Sequence, residues 1–193
     1  MITDRILKIH TEDKQINSHH TYYNHKYEPT SYDIIEQLFS EFPLKVSDTF
    51  VDYGCGMGRI NFYVNYRFLC NSIGIELSEE YYKDAIKNLD SYMGKYKERI
   101  DFYCMPAQSY LLKGHESCFY FFNPFSVEIF GQVIQNIYDS LEESPRECAL
   151  ILYYPDADYI YYIENYTGLK LHKIVKVAGN QFDPRECFYI YYF

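Results

Sequence analysis

The feature that most constrains the fold is a glycine-rich loop within the sequence FVDYGCGMGR, which begins at Phe50. An apolar run stops at this loop and a helix-forming stretch follows it, which predicts a buried strand that turns into a helix. Gly54, Gly56 and Gly58 occupy alternate positions. Because glycine lacks a Cβ atom, such a loop lets the backbone run close against a ligand. The segment therefore predicts a ligand-binding turn at the end of a buried strand.

An acidic residue, Asp52, lies just before the loop. The N–H groups at the start of a helix favour an anion such as a pyrophosphate, and a nearby carboxylate would repel that anion. A ligand with a cationic end fits better, and S-adenosylmethionine carries an ammonium and a sulfonium but no phosphate. The G-x-G-x-G spacing also differs from the G-x-G-x-x-G of dinucleotide-binding folds. The loop therefore favours S-adenosylmethionine over NAD.

Apolar runs alternate with amphipathic segments along most of the chain, which predicts an α/β fold. Strands are predicted at residues 49–53, 72–76, 100–104, 118–122, 148–154, 170–177 and 187–193, and helices at 30–42, 58–69, 78–93, 126–141 and 156–166. The last two strands have no helix between them, as in a hairpin. We expect a doubly wound, mostly parallel seven-stranded sheet with a C-terminal antiparallel hairpin and helices on both faces. Residues 30–193 would form this domain, and residues 1–29 an N-terminal extension or lid.

Two helix starts carry capping signals. The sequence Thr30-Ser31-Tyr32-Asp33 matches a capping box, in which Thr30 would cap the first helix. Ser78 is expected to cap the helix at residues 78–93, with two acidic residues in its first turn.

A second acid, Glu76, ends the strand predicted at residues 72–76, about 20 residues past the glycine loop. An acid at this point hydrogen-bonds ribose hydroxyls in many nucleoside-binding sheets, and the alternative is an acid that caps the next helix. The glycine loop and Glu76 together resemble the class I S-adenosylmethionine-dependent methyltransferases, including small bacterial members.

This resemblance implies a set of cofactor-binding residues. Glu76 would hold the ribose, Leu77 would pack on the adenine, and Ala107 and Gln108 would lie near the adenine, although Pro106 stands where the family often has an acid. Tyr27 and Thr30 would lie near the methionine end. The complete set is Tyr27, Thr30, Asp52, Gly54, Cys55, Gly56, Gly58, Glu76, Leu77, Ala107, Gln108 and Asn123.

The segment Asn123-Pro124-Phe125 resembles the (Asp/Asn)-Pro-Pro-(Tyr/Phe) motif of methyltransferases that act on planar nitrogen, with one proline fewer. The resemblance implies that Asn123 is catalytic, its side-chain oxygen accepting an N–H of the nucleophile. Pro124, Phe125 and Tyr154 are expected to contact the substrate. The alternative is that Asn123 caps the next helix with Pro124 at its first position. Arg59, at the start of a predicted helix, is expected to reach either the ligand's carboxylate or a surface acid.

Composition narrows the function further. The formal net charge is -9, which disfavours a nucleic-acid acceptor because such binding relies on Lys and Arg. A small molecule or a protein is the expected methyl acceptor. The six cysteines form no C-x-x-C pair, and no signal peptide or membrane-spanning run is evident, so a cytoplasmic location is expected.

No metal site is expected, since the histidines His10, His19, His20 and His25 lie in a polar stretch; a general-base role for one of them stays open. Two other functions also stay open. One is a non-catalytic S-adenosylmethionine or nucleoside sensor or partner subunit. The other is an NAD-dependent oxidoreductase, which the loop spacing disfavours. Oligomeric state is not predicted.

Overall fold

The computed structural model describes residues 2–12, 29–178, 183 and 185–193. Seven strands form a single sheet in the order β3-β2-β1-β4-β5-β7-β6. The strands are β1 Thr49–Tyr53, β2 Asn71–Glu76, β3 Ile100–Cys104, β4 Cys118–Phe121, β5 Ala149–Tyr153, β6 Lys170–Lys176 and β7 Cys187–Tyr192. The helices are α1 Asp4–Leu7, α2 Tyr32–Glu41, α3 Arg59–Phe68, α4 Glu79–Ser91, α5 Val127–Glu143 and α6 Ala157–Tyr166.

Strands β1 to β5 are parallel, and β7 runs antiparallel to both β5 and β6. The predicted α/β fold, with its mostly parallel seven-stranded sheet and C-terminal antiparallel hairpin, is therefore confirmed. The hairpin is not simply appended, because the last strand in the chain inserts between β5 and β6.

Helices cover both faces of the sheet, as its apolar strands require. On one face α5 and α6 pack on a cluster that includes Phe121, Phe130 and Tyr159. On the other face α2 and α3 pack on a cluster around Phe39 and Phe50. Strands β1, β4, β5 and β7 contribute side chains to both clusters, because successive side chains of a strand point to opposite faces.

The capping box predicted at residues 30–33, at the start of α2, is wrong. Helix α2 begins at Tyr32 with Ser31 at its N-cap and without a side-chain capping bond. The Thr30 hydroxyl instead hydrogen-bonds the Tyr120 hydroxyl of β4 at 2.9 Å, so a buried tertiary partner replaces the local one. The predicted cap at α4 is confirmed, because Ser78 Oγ accepts the Tyr81 N–H at 3.5 Å.

Residues 2–12 pack onto α3 and α4. Leu7 is fully buried and Ile9 nearly so, in a cluster with Phe62 and Phe102. Among the described residues, no helix combines the length and the apolar character needed to cross a bilayer.

Candidate active site

The glycine loop joins β1 to α3 through three left-handed backbone conformations. Gly54, Gly56 and Gly58 have φ angles of 82°, 54° and 84°, which favour glycine because a Cβ atom would be strained there. The N–H groups of Gly54 and Cys55 both donate to the carbonyl of Ile75 in β2, at 2.8 and 3.1 Å. The loop is thereby folded across the ends of β1 and β2.

Gly54 also brings the loop against the segment that follows β4. A Cβ atom at this position would lie 2.4 Å from Pro124 Cβ, so only glycine permits the approach. Strands β1 and β4 are neighbours, yet β2 and β3 lie on one side of them and β5 on the other. This is the point at which the strand order reverses, where open α/β sheets bind their ligands.

Asp52 lies beneath the loop, between Gly74 of β2 and Tyr120 of β4. Its side chain is buried, and no hydrogen bond reaches its carboxylate from the described part of the chain. Burial, and then the negative charge of Glu76, raise the pKa of Asp52 well above its ordinary value. A buried acid to which no described residue donates a hydrogen bond fits a ligand that brings its own cationic group.

Cys55 contributes its backbone to the loop and its side chain to the core. Its sulfur fills the space above Gly74, where an added Cβ would lie 2.7 Å from it. Burial raises the pKa of the Cys55 thiol well above its ordinary value, and the charges of Asp52 and Glu76 add to this effect. The thiol therefore stays protonated and is a packing group.

Glu76 joins the glycine loop to the start of α4. One carboxylate oxygen accepts the Gly56 N–H at 2.8 Å, and the other accepts the Ser78 N–H at 2.7 Å. Burial raises the pKa of Glu76, while these backbone hydrogen bonds act against the rise. A carboxylate oxygen can accept more than one hydrogen bond, so both oxygens retain capacity for ribose hydroxyls. The predicted ribose contact and the alternative helix-start role are thus compatible.

The residues expected near the adenine lie at the same edge of the sheet. Leu77 follows Glu76 and is 50% exposed. The Met105 N–H donates to the Glu76 carbonyl at 3.0 Å, which brings the segment after β3 alongside. Ala107 and Gln108 follow in a short 3-10 turn.

Asn123 does not cap the next helix, so that alternative is wrong. Helix α5 begins at Val127, with Ser126 at its N-cap. The Asn123 amide instead reaches the segment after β5, where its Nδ2 donates to the Tyr154 carbonyl and its Oδ1 accepts the Asp156 N–H at 3.0 Å. Because an amide oxygen has two lone pairs, Oδ1 retains one for a further donor.

Tyr154 and Asn123 both adopt left-handed backbone conformations, with φ angles of 48° and 40°. Such conformations are costly for residues other than glycine and cluster at functional sites. The Tyr154 hydroxyl donates to Asp183, and the Arg185 guanidinium lies 4.8 Å from the centre of the Tyr154 ring. The segment after β5 is therefore bound on one side by Asn123, which follows β4, and on the other by Asp183 and Arg185, which lie between β6 and β7.

Of the remaining predicted residues, one is buried in the core and several lie outside the part of the chain that the structure describes. Phe125, which was expected to contact the substrate, is 6% exposed and packs edge-on against Phe121, so its ring belongs to the core. Tyr27, His19, His20 and His25 lie outside the described residues. Within the described ranges, no group of three or more His, Cys, Asp or Glu side chains is placed to hold a metal ion.

Arg59 pairs with residues that sequence patterns did not single out. Its Nε donates to Thr11 Oγ1 at 2.7 Å and lies 3.9 Å from Asp4 Oδ1. No local sequence pattern indicates the polar residues that hold these segments, because their partners lie elsewhere in the chain or in a turn of ordinary composition. These residues are Asp4, Thr11, Asn88, Asp183 and Arg185.

Comparisons with known proteins agree with this site. A family model described as "Histone methylation protein DOT1" matches residues 6–137, more than half of the chain. That match includes the glycine loop, Glu76 and Asn123. Comparison with curated protein sequences gives no match.

Solved structures share the fold at low sequence identity. An RNA methyltransferase from Salinibacter ruber, in complex with S-adenosyl-L-homocysteine, is 15% identical, with a TM-score of 0.60 over 86% of this chain and 93% of that one. A SAM-dependent methyltransferase from Aquifex aeolicus is 15% identical, with a TM-score of 0.61 over 86% and 93%. A precorrin-6y C5,15-methyltransferase from Geobacter metallireducens is 14% identical, with a TM-score of 0.61 over 88% and 91%.

Two of these proteins are described by different acceptors, RNA and precorrin-6y, so the shared fold does not identify an acceptor. The family match and the acid-flanked glycine loop together favour methyl transfer over the NAD-dependent alternative, and the predicted cofactor is confirmed. The chain belongs to the family of histone methylation protein DOT1 and is an S-adenosylmethionine-dependent methyltransferase.

Proposed function

We propose that this enzyme methylates an amine nitrogen on a basic protein or a small cationic molecule. The observation that carries the proposal is the acidic charge at the two helix starts that follow β4 and β5, beside Asn123. The segment that contains both helix starts, residues 126–169, is acidic as a whole, with eight acidic residues and one basic residue, Arg146. The Arg146 side chain is itself largely buried and donates to the Glu116 carbonyl at 2.7 Å. A cationic acceptor is attracted to such a surface, and a polyanion is repelled.

The acids closest to the crevice lie at the starts of two helices. Glu128 is in the first turn of α5, and Asp158 in the first turn of α6. Asp156 caps α6, and its N–H is bonded to Asn123. The family's description adds support, since it names histone methylation and histones are basic proteins.

The residues at the site have separate proposed roles. When bound, S-adenosylmethionine supplies a methyl group already activated by its sulfonium. Asp52 pairs with the cationic end, and Glu76 holds the ribose. Asn123 accepts an N–H of the acceptor through the free lone pair of Oδ1, and Pro124 and Tyr154 line the acceptor's approach. Most of the catalysis is then alignment of the nucleophile, and the acceptor amine must lose its proton before transfer.

The test is methyl transfer from labelled S-adenosylmethionine into fractionated lysate and into poly-L-lysine. We expect label in the protein or small-molecule fraction and in poly-L-lysine, on nitrogen after acid hydrolysis. Label found solely in the RNA fraction would contradict the proposed acceptor class while leaving the methyltransferase activity intact.

Asn123 gives a sharper prediction. Asn123→Ala should lower turnover by about a hundredfold, an order typical of losing one positioned polar group, while the dissociation constant of S-adenosylmethionine changes little. The measurement is kcat with the acceptor found above, together with calorimetry and thermal melting, because the variant also frees Tyr154 and Asp156.

Asn123→Asp is the matched control, because it retains an oxygen for the Asp156 N–H, tolerates a left-handed backbone, and loses the donor to Tyr154. If Asp restores stability and part of the turnover, the side-chain oxygen is the catalytic atom. If Ala and Asp both keep the parent's turnover, the nucleophile is oriented by another group.

A further inference from the structure

The geometry points to Arg59 as a positioning residue for the methionine end of the cofactor site. It begins α3 directly after Gly58 and is 9% exposed. Its Nε donates to the Thr11 hydroxyl at 2.7 Å, and its Nη1 donates to the Thr30 carbonyl at 3.3 Å. One guanidinium thus connects the glycine loop to two segments that are far apart in the chain.

Asp4 balances the charge of Arg59 and extends the connection. Its carboxylate accepts the Thr11 N–H at 2.6 Å and the Thr11 hydroxyl at 2.8 Å, and it also accepts the hydroxyl of Tyr32. The Tyr32 ring in turn lies 5.0 Å from the Arg59 guanidinium. Because both charges are largely buried, loss of either partner leaves the other uncompensated.

Asn88 of α4 makes a second connection between the same segments. Its Nδ2 donates to the His10 carbonyl at 3.0 Å and to the Met57 carbonyl in the glycine loop at 3.1 Å. Its Oδ1 accepts the His10 N–H at 2.7 Å. Residues 4–11 are therefore fastened to the loop at two points, on either side of Gly58.

The Arg59 connection leads toward Asp52 rather than toward Glu76. Thr30, whose carbonyl accepts from Arg59, bonds Tyr120 through its hydroxyl at 2.9 Å. Tyr120 is the β4 neighbour of Asp52, on the same face of the sheet. Asp52 is the acid that suits a cationic ammonium, whereas Glu76 suits a ribose. Arg59 should therefore affect the amino-acid end of the ligand more than its adenosine end.

The test compares two ligands by calorimetry. S-adenosylhomocysteine and 5′-methylthioadenosine share the adenosine and an uncharged sulfur, and the second lacks the amino-acid group. Arg59→Lys keeps the charge but cannot bridge Thr11 and Thr30 at once. Thr11→Val removes the Arg59 acceptor without changing shape. We expect both variants to weaken S-adenosylhomocysteine by about tenfold or more and to leave 5′-methylthioadenosine within about twofold of the parent.

Lys83→Ala is the matched control, because it breaks an ion pair with Glu79 on the exposed surface of α4 and should leave both affinities unchanged. Equal weakening of the two ligands, at an unchanged melting temperature, would overturn the proposal in favour of a general effect on the loop. Unchanged affinity for S-adenosylhomocysteine in Thr11→Val would also overturn it. None of these outcomes depends on the identity of the methyl acceptor.

Discussion

At the scale of single residues, the site contains two acids, Asp52 and Glu76, whose burial lowers the stability of the fold. Asp52 is buried without a hydrogen-bond donor from the described residues, and a second carboxylate, Glu76, lies close enough to raise its pKa. A buried ionised group without a partner destabilises a fold. We infer that Asp52 is retained for the ligand and at the expense of stability, as is common at functional sites.

Asp52→Asn should stabilise the protein and weaken its cofactor binding. The folded pKa of Asp52 is raised above its unfolded value, so ionisation costs stability as pH rises from the unfolded pKa through the folded pKa. The melting temperature of the variant should therefore exceed that of the parent by more at pH 8 than at pH 4. Affinity for S-adenosylmethionine should fall by about tenfold or more, since a charged contact is lost.

Calorimetry in buffers of different ionisation enthalpy measures how many protons Asp52 releases when the ligand binds. Binding of a cationic ligand should favour the ionised form of Asp52, so the parent should release protons on binding and Asp52→Asn should release fewer. A variant that melts lower than the parent at pH 8, with unchanged affinity, would show that Asp52 serves the fold alone.

Glu76→Ala should weaken cofactor binding by at least about tenfold, because the charged hydrogen bonds that we propose to the ribose would be lost. The variant also frees the N–H groups of Gly56 and Ser78, so the loop itself loses support. Glu76→Gln separates the two effects, since its amide oxygen still accepts one of those N–H groups. Calorimetry with both variants is the measurement, and unchanged affinity would place the ribose elsewhere.

At the scale of elements, the loop between β1 and α3 determines how the neighbouring segments meet. Its three left-handed glycines turn the chain sharply enough for Gly54 to contact Pro124 after β4. Asn123 then holds the segment after β5. The site is thus a set of strand ends whose loops contact one another.

Gly54→Ala should disrupt this arrangement. The added Cβ would lie 2.4 Å from Pro124 Cβ, and the φ of 82° is strained for alanine. We expect a loss of about 1–3 kcal/mol from the backbone strain alone, with weaker cofactor binding. Gly168→Ala is the control, since nothing lies within 4 Å of its Cβ. Denaturant unfolding and calorimetry on both variants decide whether the close contact is required.

At the scale of the whole molecule, the last strand completes the sheet. β7 lies between β5 and β6 and carries the fully buried Phe188 and Ile190. The centre of this half of the sheet therefore depends on the final residues of the chain.

Deletion of residues 187–193 should abolish cooperative folding, because it removes buried apolar area and exposes the edges of β5 and β6 to association. Leu171→Thr, on the exposed side of β6, should leave folding unchanged. Circular dichroism melts and size-exclusion chromatography are the measurements. A truncated protein that still melts cooperatively and binds S-adenosylhomocysteine would show that β7 is dispensable.

The sequence by itself determined the fold class, the succession of strands and helices along the chain, and the family. These follow from apolar periodicity, from glycines at alternate positions and from the acids Asp52 and Glu76, all of which are local patterns. The Ser78 cap was also predictable, because its donor lies three residues away.

Only the tertiary structure decided which partner each polar side chain takes. Thr30 and Asn123 both matched capping patterns, yet Thr30 bonds Tyr120 and Asn123 bonds the segment after β5. Arg59 meets Thr11, and Asn88 meets His10, across separations that no local pattern encodes. The physical reason is that a buried polar group bonds whichever donor or acceptor the packed chain brings within reach, and that choice depends on how distant segments cross.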